Sequence, residues 1–338
     1  MTSTRACEPA TALEWSRRLS RFQTPTVARA MFELAITALP FAACWLGMAW
    51  AVGHHLWFVY ALLVLPTVGF FVRLFLIQHD CGHHAFLAGS RGNDWIGRVI
   101  SVVTLTAYAH WRRAHAIHHA TSGNLSRRGV GDIDTLTVEE YRARSSRQRR
   151  LYRLYRNPLV MFGIGPIFVF LLQNRIPAGF LRGRAAWISV MTTNLAIALV
   201  VALLVATFGW RTFLLVHGPI MLLSAAIGGW LFYVQHQFPT TSWDESKSWS
   251  VREAALNGSS HHDLPPILRW FSANIGVHHV HHLCSRIPFY RLPAVLRAYP
   301  ELKAMGRLSL RDSFRCVRLV LWDEQSRKLI SFRDAMRV

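Results

Sequence analysis

Cysteine is scarce: five residues in 338, with no CxxC pair and no framework spacing, so a disulfide scaffold is not expected. Lysine is scarcer. Only Lys247, Lys303 and Lys328 occur, and every other member of the 38 basic side chains is arginine. Acidic residues number 18, leaving a formal net charge of +20. Met1–Gln23 is polar, arginine-rich and without an apolar core, so no secretory signal peptide is expected there. No repeat of fixed period and no low-complexity tract is present, which argues against solenoids and arrays.

Charge is also missing from four long runs. Leu34–Gly53 has 20 residues without a charge, Leu56–Val72 has 17, Ala185–Phe208 has 24 and Thr212–Val234 has 23. A membrane span needs about 20 apolar residues. The expected fold is an all-α integral membrane protein with four transmembrane helices, near 34–53, 56–77, 185–208 and 212–234. Arg73, at the edge of the second run, is expected to snorkel. Two shorter stretches, 93–108 and 158–172, are expected to lie in the interface. The arginines fall outside the apolar runs, where the positive-inside rule wants them and where they can meet anionic headgroups. Nucleic-acid binding is therefore not expected. Residues 1–30 read as a cytoplasmic N-terminal segment, 31–293 as the membrane domain and 294–338 as a cytoplasmic tail. Parity places 85–155 and 240–338 on the cytoplasmic face with the N-terminus.

Histidine is abundant, with 17 residues. Eight of them form three sets. "HDCGHHAF" places His79 and His83 at i, i+4; "HAIHHATSGNL" places His115, His118 and His119 at i, i+3, i+4; "GVHHVHHLCSRIPFY" repeats that spacing with His278, His281 and His282. Such positions share one helix face. His279 falls away from that face. A solvated patch would account for one such set but not for three. Imidazole is the commonest protein metal ligand, and it suits iron, copper and zinc. Eight neutral nitrogens exceed what one metal uses, so a histidine-rich di-metal site in a cytoplasmic cap is expected. Cys81 and Cys284, beside these sets, are expected to pack rather than ligate. With parity as above, the sets meet only if 158–172 does not cross the membrane.

The three sets resemble the histidine boxes of membrane fatty acid desaturases, HxxxH, HxxHH and HxxHH. The stretches "HWRRAHAIHHATSGNLSRRGVGDIDTLTVEEY" and "SANIGVHHVHHLCSRIPFYRLP" resemble more narrowly the bacterial acyl-lipid omega-6, or delta-12, desaturases. The resemblance implies a centre of two non-haem irons that uses O₂ and two electrons to remove two hydrogens from a membrane-lipid acyl chain. It implies His79, His83, His115, His118, His119, His278, His281 and His282 as ligands, and a bacterial inner-membrane location. No cytochrome b5-like segment is seen in this sequence, so electrons are expected from a separate donor, a ferredoxin or a cytochrome b5. The resemblance further implies a ninth ligand at the end of the fourth span, here His236. Relatives can carry an asparagine one turn earlier; here that position is Phe232, with Gln235 a weak substitute.

Ligating imidazoles need partners for their second nitrogens. Asp80, His84, Asn124, Asp132, Asp134 and Asn274 are near enough in sequence to serve, although Asp and Asn also cap helices and fill turns. His110 adjoins the second box, and His261 and His262 are expected near the site mouth. His54, His55 and His217 read as non-ligands. A hydroxylase or ketolase on the same scaffold remains an alternative, as does a histidine-rich metal transporter.

Overall fold

The computed structural model describes residues 11–129, 131–177 and 183–337. Residues 1–10 of the expected N-terminal segment, Cys7 among them, and Val338 of the tail lie outside the described residues. A capped helix, α1 (Ala12–Leu19), precedes a hairpin of two long helices, α2 (Val27–Gly53) and α3 (Trp57–Gly82). Four helices follow: α4 (Ser90–Val103), α5 (Tyr108–Thr121), α6 (Val138–Ala143) and α7 (Ser146–Tyr155). A π-helical turn at Val160–Ile164 leads into α8 (Gly165–Leu171). The second long hairpin is α9 (Arg184–Phe208) and α10 (Trp210–His236). Five short helices close the chain: α11 (Val251–Asn257), α12 (Pro266–Phe271), α13 (His278–Leu283), α14 (Leu292–Ala298) and α15 (Leu310–Cys316).

Helices α2, α3, α9 and α10 are long and apolar enough to cross a membrane, and the protein is integral to it. Pro40, Pro66 and Pro219 lie inside them, as neighbouring helices permit in a bilayer. Trp45, Met48, Phe71, Val216 and Ile220 form the core between α2, α3 and α10. Helix α9 stays at the edge, with Leu195, Leu199 and Leu203 exposed at i, i+4, i+8, a stripe that faces lipid. Helix α3 runs 26 residues and α10 runs 27. At 1.5 Å per residue each reaches roughly 40 Å, beyond the roughly 30 Å hydrocarbon layer. Their surplus turns carry His79 and His236.

The 158–172 stretch makes a span by composition only when α7 is counted with it, across a 59° bend. The snorkelling expected of Arg73 does not occur. Its side chain is buried and pairs with Glu33 Oε2 at 2.5 Å. It donates to Thr37 Oγ1 at 3.1 Å and to Trp270 O, and its guanidinium lies 4.1 Å from the centre of a Trp270 ring. Three partners within reach make burial cheaper than a climb to the interface.

The fold is helical in bulk, with two small strand pairs added in the cap. β1 (His261–Asp263) pairs in parallel with β2 (Arg307–Ser309), and β3 (Leu321–Asp323) antiparallel with β4 (Lys328–Ile330). Each pair satisfies backbone groups that burial would otherwise leave unpartnered.

Candidate metal centre

Four elements bring the histidines together. The end of α3 supplies His79 and His83, α5 supplies His115, His118 and His119, the end of α10 supplies His236, and α13 supplies His278, His281 and His282. Local sequence explains each placement. At Gly276 an added Cβ would sit 2.3 Å from His262 O, so glycine lets β1 run directly beneath α13. There Ser260 O accepts the N–H groups of His278 and His279. At Gly82 an added Cβ would sit 2.9 Å from Trp111 Cζ3. Trp111 thereby stacks on His115, ring centres 4.9 Å apart and planes 11° apart. Gly131, at φ 70°, lets its loop close on the His118 Cβ, which delivers Asp132.

The ligand nitrogens fall into two groups, His79, His83, His115, His119 and His281 in one and His118, His236, His278 and His282 in the other. Within each group the nitrogens lie within 4.8 Å of one another. In the first, His115 Nε2 is 3.0 Å from His83 Nε2 and 3.1 Å from His119 Nε2, and His281 Nε2 is 3.2 Å from His119 Nε2. In the second, His236 Nε2 is 3.2 Å from His118 Nε2 and 3.0 Å from His278 Nε2. A ring nitrogen carries either one proton or one lone pair, so hydrogen bonding cannot satisfy such chains. Two ligands at right angles about a metal, each bonded at about 2.1 Å, would stand about 3 Å apart. The buried Nε2 of His282 has no hydrogen-bond partner among the described residues. This donor set therefore fits two metal ions of the imidazole-binding kind.

Burial holds His83, His115, His119, His278, His281 and His282 well below the usual imidazole range, and neighbouring rings push the same way. Neutral rings are what ligation requires. Of the sequence candidates for their support, Asp132 contacts His118 Nδ1. Asp80 Oδ1 lies 3.7 Å from His79 Nδ1, an ion-pair distance rather than a hydrogen bond, while its Oδ2 accepts the Phe289 N–H at 2.7 Å. The other four hydrogen-bond elsewhere or not at all through their side chains. His84 Nε2 lies 3.2 Å from Asp94 Oδ1 and 2.7 Å from Arg112 Nη1. Asn124 Oδ1 accepts from Ser126 N and Ser246 Oγ. Asn274, at φ 55°, donates to Phe289 O, and Asp134 engages Tyr152, Tyr155 and Arg156 through its backbone. Sequence distance alone misplaced these four, because turns carried their side chains away.

Sequence reasoning missed Trp111, although it stands one turn before His115. It also missed Ser122, whose Oγ lies 3.3 Å from His236 Nδ1. Phe232 packs its ring 5.1 Å from His118 and 5.4 Å from His236.

His261, His262 and His279 form a separate buried set behind α13. His261 Nδ1 lies 2.8 Å from Lys303 O. Burial pushes His262 down to about 4 and His279 down to about 3, against about 6.5 in an unfolded chain. As pH falls, the unfolded chain takes up these protons first. Stability is thus undiminished above about pH 6.5 and falls below it, by roughly 1.4 kcal/mol per pH unit for each ring. Thermal melts between pH 7.5 and 5 should show the decline, and His279→Gln should lessen its slope by one ring's share. Parallel wild-type and variant slopes would refute the assignment.

The sequence pattern of one family, described as fatty acid desaturase, matches residues 55–313. A "Fatty acid desaturase" of Bacillus subtilis (strain 168) is 41% identical over 318 residues, covering 94% of this chain and 90% of that protein. Two Synechocystis proteins are more distant. An "sn-1 acyl-lipid omega-3 desaturase (ferredoxin)" is 28% identical over 255 residues, covering 70% of this chain and 66% of that one. An "sn-1 oleoyl-lipid 12-desaturase" is 26% identical over 227 residues, covering 64% and 62%.

Proposed function

This chain belongs to the fatty acid desaturase family, and from that premise we propose that it introduces a double bond into the acyl chains of membrane lipids, with a pair of non-haem irons held by the nine clustered histidines. The observation that carries the reading is the five-and-four grouping of imidazole nitrogens at the ends of the spanning helices. Irons held there would supply the redox chemistry by which O₂, two electrons and two protons become two waters as two acyl hydrogens leave. The chain's own residues hold, orient and shield. Asp132 accepts a hydrogen bond from His118 Nδ1–H, leaving Nε2 free to ligate. Trp111 fixes the plane of His115. The apolar ends of α3 and α10 keep bulk water out.

The meeting of the second and third boxes supports a topology in which only α9 and α10 cross between them, so that 1–30, 85–155 and 240–338 share the cytoplasmic face of a bacterial inner membrane. A separate ferredoxin is the proposed donor, as the name of one relative suggests for that protein; a cytochrome b5 is the alternative. The finer proposal is a delta-12 position on an existing monoene, supported by the sequence around the second and third boxes. Relatives of similar distance carry omega-3 and 12 in their names, so the position is read from the product.

Expression in a host whose lipids hold monoenes but no polyenes tests both levels. A new diene with its second bond at carbon 12 is expected. A new alkene elsewhere would overturn the position and keep the desaturase; a hydroxylated lipid with no new alkene would overturn the reaction in favour of a hydroxylase.

A further inference from the structure

On α7, away from the histidines, Ser146, Arg149, Arg150 and Arg153 stand at i, i+3, i+4, i+7 and so share one face. With Arg142 they line an open pocket of about 550 Å³, closed at one side by Ala335 and Met336 from the end of the chain. Two of these arginines are held in place. Arg153 Nε donates to Tyr141 Oη at 2.7 Å, and Arg142 Nη2 donates to Ala335 O at 2.8 Å. None of the four guanidiniums forms an ion pair with a carboxylate among the described residues, where Arg128 and Arg327 do. The scaffold beneath is rigid. Tyr152 Oη donates to Val320 O at 2.7 Å, and the buried Arg156 donates to Tyr233 Oη at 3.0 Å and Leu319 O at 2.9 Å. Four like charges brought together on a fixed frame without acids repel one another, and a polyanion relieves that repulsion.

The flank of the same helix says which anion. Leu151 and Leu154 are 55% and 56% exposed, and Leu159 just beyond is 80% exposed. Leu151 and Leu154 lie about a third of a turn round from the arginine face of α7. A helix with leucines on one flank and arginines on the next lies in the membrane interface, its leucines in the acyl layer and its arginines at phosphate height. An acidic protein partner has no use for the leucines. We propose that the pocket between α7 and the chain's last residues binds the phosphate of an anionic phospholipid. The site rests on the membrane placement of the protein and not on the desaturase reaction.

The test uses the full-length protein in detergent, with retained lipid counted by native mass spectrometry. The probes are dioleoyl-phosphatidylglycerol, dioleoyl-phosphatidylcholine and inorganic phosphate. Wild type should retain phosphatidylglycerol in preference to phosphatidylcholine. Arg149→Gln with Arg150→Gln should weaken that retention roughly 30-fold, the effect of removing two charges from an anionic headgroup site. Neither side chain forms a hydrogen bond among the described residues, so the melting temperature should hold; if it does not, Arg150→Gln alone gives the same reading at smaller amplitude. Leu151→Asn with Leu154→Asn should weaken retention further. Equal retention of the two lipids, or unchanged retention in the arginine variants, would overturn the proposal. Full displacement by millimolar phosphate would show a soluble anion instead. Arginine variants that lose an acidic ferredoxin while keeping phosphatidylglycerol would show a donor-docking surface instead.

Discussion

His236→Ala is expected to purify with one metal ion per chain where the native protein should carry two, and to have no measurable turnover. The group that His236 joins has only four imidazoles, against five in the other. Its Nε2 is the shared neighbour of His118 Nε2 and His278 Nε2, at 3.2 and 3.0 Å. Removing it takes out the nitrogen that links the other two, whereas the five-histidine group is untouched. Asp132→Asn should act on the same group more gently, weakening metal affinity about 10- to 100-fold, the usual cost of losing a ligand's outer partner. His84→Ala serves as the contrast. Its ring is engaged with Asp94 and Arg112, so both metals and most activity should survive. Elemental analysis of purified protein reads all three. Two metals and full turnover in His236→Ala would remove it from the ligand set, and loss of both metals would mean the groups do not fill independently.

Glu33→Gln is expected to destabilise the protein by about 3–5 kcal/mol, the cost of stranding one member of a buried ion pair. Arg73 and Glu33 are 1% and 2% exposed, and the remaining contacts of Arg73 are a hydroxyl, a carbonyl and aromatic faces. None of these neutralises the guanidinium. Arg73→Met should cost less, because Glu33 keeps Arg29 at 2.6 Å with Arg29 half in solvent. The double variant Glu33→Gln with Arg73→Met should recover much of the loss, since no charge is then left buried. Unfolding of the three variants in detergent closes the cycle. Additive losses would show that the two side chains act separately. Because Arg73 also holds Trp270 O, the same cycle reports whether α12 stays docked on α3.

Some of the fold was legible because its cause is one-dimensional. The four spans follow from uncharged length alone, since a bilayer demands about 20 apolar residues wherever they occur. Arg73 shows the limit. A charge at the edge of an apolar run reads as a snorkelling side chain, and only the position of Glu33, 40 residues earlier, turns it inward. The two strand pairs were not legible either. Three-residue segments carry no period; β1 and β2 pair because cap loops distant in sequence meet, and β3 and β4 pair across a short turn.

The histidine sets were legible for the same local reason, a helical spacing that puts several imidazoles on one face. Their division was not. In α5, His115 and His119 join one group while His118 joins the other; in α13, His278 and His282 join the second group while His281 joins the first. Residues at i and i+4 lie about 40° apart around a helix, and the one at i+3 falls on the opposite side of that pair. Each HxxHH box thus offers two rings to one metal position and one ring to the other. By itself the sequence determined that the rings would be presented in this way, because backbone geometry is local. Which position each pair would serve, which groups would hold their second nitrogens, and which of the two groups His236 at the end of α10 would join were decided by how α3, α5, α10 and α13 pack, because a metal position exists only where separate helices converge.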